Sequence, residues 1–199
     1  MPTPARTSLA AIVDAGRDLL ERTGLDGLTM QAVAERVGVR APSLYKRVSG
    51  REGLVALVVD ATVRDLGVAA DRAAAEAGDD PRARLRALAI AVRAFAHERP
   101  VAFRVVFAPG AELRLEPASL AAASESVLGA AADLAGERHA LDAARTFTAW
   151  ATGFVSMELA GAFRLGGDVD RAFAFGVDAL VGAVEAAAAP ETPRGDHRP

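Results

Sequence analysis

At 199 residues, 51% of them hydrophobic and 25% charged, the chain is long enough to bury a core and too apolar to remain disordered. It holds no cysteine, which excludes disulfides and thiolate metal sites, and its aromatic content of 5% favours helices over strands. A net charge of −3 argues against a general nucleic-acid coat, and no unbroken apolar run approaches the roughly 20 residues of a membrane helix.

The opening run Met1-Pro2-Thr3-Pro4-Ala5-Arg6 lacks the apolar stretch of a signal peptide, so a soluble, cytoplasmic protein is expected. Ile12, Gly16, Leu19 and Leu20 then line one face of a first helix, which Thr23-Gly24 should close with a left-handed glycine. Thr29 is placed to cap a second helix, whose Met30, Val33, Ala34 and Val37 form its apolar stripe and which Gly38 ends. A short third helix should carry Pro42 in its first turn and turn Leu44 and Val48 inward. Ser49 and Glu52 have capping-box spacing before a longer helix with Leu54, Leu57, Val58 and Ala61 on its stripe.

Asp80-Pro81 reads as cap and first residue of the next helix, which carries Leu85, Leu88, Ala89, Val92 and Phe95 and stops at Arg99-Pro100. An apolar segment at 101–107, a turn at Ala108-Pro109-Gly110 and a helix near 120–134 follow. The last third reads as a hairpin of helices at 142–164 and 169–188, antiparallel because their link is short. The tail, 189–199, is rich in proline and charge and is expected to be disordered. With no strand-like alternation, the predicted fold is all-α. It comprises a three-helix head at 6–51, a linking helix at about 51–76 and a second helical domain at 80–188.

Three short helices with a glycine turn between the second and third make a helix-turn-helix pattern. Charge agrees with this: residues 1–50 hold seven Lys/Arg against five Asp/Glu, whereas the remainder is acidic. With Leu44 and Val48 inward, the third helix exposes Arg40, Ser43, Tyr45, Lys46 and Arg47, with Ala41 and Pro42 in its first turn. Arg40 and Ser43 lie at the end that meets base edges, while Tyr45, Lys46 and Arg47 suit phosphates. Thr29 adds a hydroxyl and a helix N-terminus for a phosphate, and Arg6 adds a basic arm.

The run from Gly27-Leu28-Thr29-Met30 through Val33-Ala34, Gly38-Val39 and Leu44-Tyr45-Lys46 to Val48 resembles the DNA-binding domain of TetR/AcrR family regulators, and the resemblance covers residues 6 to about 60. It departs at Arg40, where that family often has Ser or Thr, at Arg47, where His is common, and at Arg51, often Lys. The stretch Trp150 to Leu159, with Gly161-Ala162-Phe163 and Asp168-Val169-Asp170, is similar to one C-terminal class of that family. Thr152 stands where the class often has His, so no role of that histidine carries over.

The resemblance implies that the second domain dimerises and binds a small effector, and that the protein is a ligand-responsive repressor of a palindromic DNA operator. The residues support dimerisation separately. Ala149, Gly153 and Gly161 share a face of the penultimate helix, and Ala172, Gly176, Ala179, Ala183 and Ala186 share one of the last. Such stripes suit a four-helix homodimer interface, or close packing inside the hairpin. An apolar effector pocket is expected between the helix at 82–98, the segment at 101–107 and the penultimate helix. Phe95, Phe103, Phe107, Phe147, Trp150, Phe154 and Met157 are its candidate wall, and ordinary core is the competing role for each. Glu158 is expected to pair with an arginine such as Arg104, and His97 to end its helix.

Neither a catalytic constellation nor a cofactor motif accompanies these features. HExxH, GxSxG, GxxxxGK and GxGxxG after a strand are all missing, and His97, His139 and His197 are scattered. The alternative to a ligand-responsive regulator is a DNA-binding dimer without an effector; an all-α enzyme is the contrasting class.

Overall fold

A computed structural model describes residues 8–107 and 116–188, so Arg6, the turn at 108–110 and the tail lie outside the described residues. Those described form eight α-helices and a 3-10 helix, and no strand. The helices are α1 (Leu9–Gly27), α2 (Met30–Val37), α3 (Arg51–Glu76), α4 (Pro81–Glu98), α5 (Pro100–Phe107), α6 (Pro117–Ala135), α7 (Ala140–Leu159) and α8 (Val169–Ala186); the 3-10 helix, Ala41–Lys46, follows α2.

Local signals set most boundaries. The hydroxyls of Ser8 and Thr29 accept from the backbone N–H groups of Ala11 and Ala32, each at 3.1 Å, capping α1 and α2. Gly38 closes α2 in the left-handed conformation at φ 75°, and Asp80 caps α4 with Pro81 in its first turn.

Three boundaries differ from expectation. Gly24 does break α1 at φ 70°, but one more helical turn follows to Gly27. It is held because the Arg51 guanidinium donates to the carbonyls of Leu25 (2.6 Å) and Leu28 (3.2 Å). Ser49 does not cap α3; that position falls to Gly50, whose φ of 116° lets the chain turn without a side-chain cap. Helix α7 ends at Leu159 rather than near residue 164, since Gly161 adopts φ 63°.

Two apolar clusters share the 26-residue α3. The first joins Ile12, Leu20, Leu28, Val33 and Leu44 to Leu54, Val58 and Val59; α1 crosses α3 so closely that a β-carbon on Gly16 would lie 2.5 Å from Val58. The second gathers Leu66 and Ala70 with Leu85, Leu88, Phe95, Phe147, Val155, Phe173 and Val177. Helix α5 belongs to both. Its Ala102, Val105 and Val106 pack with the head, whereas Phe103 enters the second cluster.

The head is also tied to α5 by a polar contact across 80 residues. The Glu21 carboxylate accepts from the N–H groups of Val101 (3.2 Å) and Ala102 (2.8 Å), capping α5. Glu21→Ala leaves both donors unpaired in a half-buried place and is expected to cost about 1–3 kcal/mol in urea unfolding. Glu21→Gln, which keeps an acceptor, is expected to cost less.

Candidate nucleic-acid interface and interior cavity

The head folds so that one short element is presented outward. Leu44 and Val48 are buried, and opposite them Arg40, Pro42, Tyr45, Lys46 and Arg47 are exposed, with Ala41 and Ser43 half-buried. The element is a 3-10 helix rather than an α-helix. Arg40 caps it without a side-chain hydrogen bond, and Pro42 lacks an N–H. At three residues per turn, Pro42 and Tyr45 share one edge and Ser43 and Lys46 the next. Among the described residues no ion pair engages Arg40, Lys46 or Arg47, so their charges face solvent. Arg51 differs: its guanidinium holds the end of α1. Thr29 uses its hydroxyl on Ala32, which leaves the N–H groups of Met30 and Gln31 at the start of α2.

An apolar cavity of about 100 Å3 lies deeper, behind α5. Phe107 and Phe147 line it, as expected, but Phe95, Phe103, Trp150, Phe154 and Met157 do not. The reason is helical phase. On α7 the positions Phe147, Thr148, Ala151 and Thr152 face the cavity, while Trp150 and Phe154 turn toward α8 and stack with Phe173 at 5.6 and 5.3 Å. Phe103 is fully buried against Phe107, Phe95 is core at the α3–α4 groove, and Met157 is half exposed. Two walls that the sequence did not suggest come from α3 (Val63, Leu66, Ala70) and α6 (Leu120, Ala123, Ser124, Val127). Gly67 lets α3 and α6 approach closely, and Asp60–Ser119 and Asp71–Ser126 hydrogen bonds fasten them.

Glu158 does pair with an arginine, but with Arg93 rather than Arg104. Arg93 donates to both Glu158 oxygens at 2.9 and 2.5 Å, reaches Asp170 at 2.5 Å, and lies 4.8 Å over the Phe173 ring. His97, in the last turn of α4 as expected, adds a contact of 3.2 Å to Glu158. The hydrogen bond from Arg93 holds the Glu158 carboxyl below its ordinary pKa.

That network joins α4, α7 and α8, and its side chains on Arg93 and Glu158 are only 18% and 13% exposed. Glu158→Gln is expected to destabilise the protein by about 1–3 kcal/mol at neutral pH. A carboxyl with a depressed folded pKa stabilises fully above the ordinary glutamate range, and this is lost as pH falls through the folded value. The stability gap between wild type and variant should therefore shrink on acidification in paired denaturation curves.

The small residues of the hairpin divide. Ala149 and Gly153 on α7, and Ala172, Ala179, Ala183 and Ala186 on α8, are exposed, and Met157 and Phe175, at 50% and 76% exposure, lie along the same faces. Gly176 instead presses α8 onto Trp150, where a methyl group would collide with the indole. Gly161 lies beyond the end of α7 and so is not on its stripe.

The family model described as bacterial regulatory proteins, tetR family, matches residues 12–58, and one described as tetracyclin repressor-like, C-terminal domain, matches residues 85–180. An uncharacterized HTH-type transcriptional regulator of Mycobacterium tuberculosis is 35% identical over 98 residues, 49% of this chain and 44% of that protein. The class D tetracycline repressor of Escherichia coli is 38% identical over 61 residues, 30% of this chain and 28% of that protein. The matches thus span less than half the length of these curated relatives. A solved regulatory protein superposes with a TM-score of 0.73 at 27% identity, over 90% of this chain and 100% of that one.

Proposed function

Because the chain belongs to the TetR family of bacterial regulatory proteins, we propose that it is a cytoplasmic homodimer that represses transcription from a palindromic double-stranded operator and is released by a small apolar molecule. The observation that carries this reading is the set of unpaired charges at Arg40, Lys46 and Arg47 on the outward edge of a capped helix-turn-helix. Arg40 and Ser43 are assigned to bases, with Ala41 and Pro42 in contact beside them. Thr29, Tyr45, Lys46 and Arg47 are assigned to phosphates, and Arg6 to a flanking contact. The exposed small residues of α7 and α8 support a four-helix dimer interface, which would hold two heads about 34 Å apart for successive major grooves.

Under this reading, residues 6–51 are the DNA-binding domain, α3 the link and residues 80–188 the sensing and dimerising domain. Helix α5 supports communication between them, since it lines the cavity with Val106 and Phe107 and is capped by Glu21 of the head. A regulatory rather than enzymatic role accords with the family in general, and among the described residues no helix is long and apolar enough to cross a membrane. One observation favours the alternative, a DNA-binding dimer without an effector: the cavity is smaller than the roughly 300–1,000 Å3 of ordinary ligand pockets. Selection of bound duplexes from a random pool tests the proposal. A two-fold symmetric consensus is expected, and recovery of no consensus would sink it.

A further inference from the structure

The cavity's chemistry narrows its occupant further than "apolar". None of its lining residues is charged; the walls are aliphatic or aromatic except for Ser124, Thr148 and Thr152. An ion of either sign would enter without a counter-charge, and uncompensated burial of an ion costs far more than apolar contact returns. Size sets a second limit. A cavity of about 100 Å3 is smaller than the engineered one of about 150 Å3 that takes benzene, so the occupant has one ring or a short branched chain.

The hydroxyls set a third. Ser124 donates its proton to the Leu120 carbonyl (2.8 Å), and Thr152 donates its own to the Thr148 carbonyl (2.8 Å). Both therefore face a guest as acceptors, and Thr148 offers a third lone-pair group. We infer that this cavity takes a neutral, one-ring or short-chain molecule carrying a single hydroxyl or N–H donor, and that it refuses cations and carboxylates. The inference rests on reading the cavity as the effector site.

Its test uses the full chain with phenol, toluene, benzylammonium and benzoate at equal millimolar concentration, read by thermal unfolding and by fluorescence of Trp150, the single tryptophan, which precedes the cavity residue Ala151. Phenol is expected to raise Tm by about 3 °C at tenfold excess over its Kd, toluene by less, and the two ions not at all. Thr152→Val should erase the preference for phenol over toluene, and Ala151→Leu, which fills the space, should abolish both shifts. Equal stabilisation by benzoate or benzylammonium, or no shift with any of the four, overturns the inference. Titration of the selected duplex without added probe runs in parallel, so that loss of the regulator reading and loss of the ligand assignment are separate results.

Discussion

Arg40→Ala combined with Lys46→Ala is expected to weaken binding of the selected duplex by at least about a hundredfold, with little change in thermal stability. Both side chains are exposed and neither is in an ion pair among the described residues, so the head's core is untouched. A bidentate contact to a base carries about 1–3 kcal/mol of discrimination, and in a dimer each substitution is made twice. The single variants should behave differently. Arg40→Ala relaxes the preference at one base pair of each half-site, whereas Lys46→Ala weakens all sequences alike and lowers the dependence of affinity on salt. A double variant with full sequence-selective affinity would remove these two residues from the interface.

Ala179→Arg is expected to have a comparable effect from a distance. Ala179 is exposed on α8, so the substitution leaves the chain's own core intact. In a two-fold interface the same patch meets its own copy, and two buried guanidiniums without partners would hold the chains apart. Light scattering at micromolar concentration should show the wild type as a dimer and the variant as a monomer. With one head per particle, affinity for the two-half-site duplex should fall by about a hundredfold or more. A dimeric Ala179→Arg would move the interface away from this face of α8.

What could be read from sequence divides along a physical line. Thr29, Gly38, Asp80-Pro81 and the buried pair Leu44 and Val48 were legible because caps, left-handed glycines and helical stripes are encoded within four residues. The class of head followed, and with it the candidate contacts. Features set by distant partners were not legible. Glu21 meets Val101 and Ala102, and Arg51 holds the end of α1, across separations that no local pattern marks. The choice of Arg93 over Arg104 for Glu158 depends on how α4 packs on α7. The cavity wall shows the same limit. Aromatic residues of α7 suggested a pocket, but a turn of roughly one residue in phase put Trp150 and Phe154 against α8 and gave the cavity to Ala151 and Thr152. Phe175, by contrast, lies on the α8 stripe whose small residues could be read, and only its exposure marked it out.

The most direct test of a dimeric, sequence-reading head is fluorescence anisotropy of the full chain against three duplexes: the selected palindrome, the palindrome with one half-site scrambled, and a fully scrambled control. One dimer per palindrome is expected, with affinity falling by about a hundredfold or more when either half is scrambled and approaching the control when both are. Equal affinity for all three duplexes at physiological salt would contradict the account.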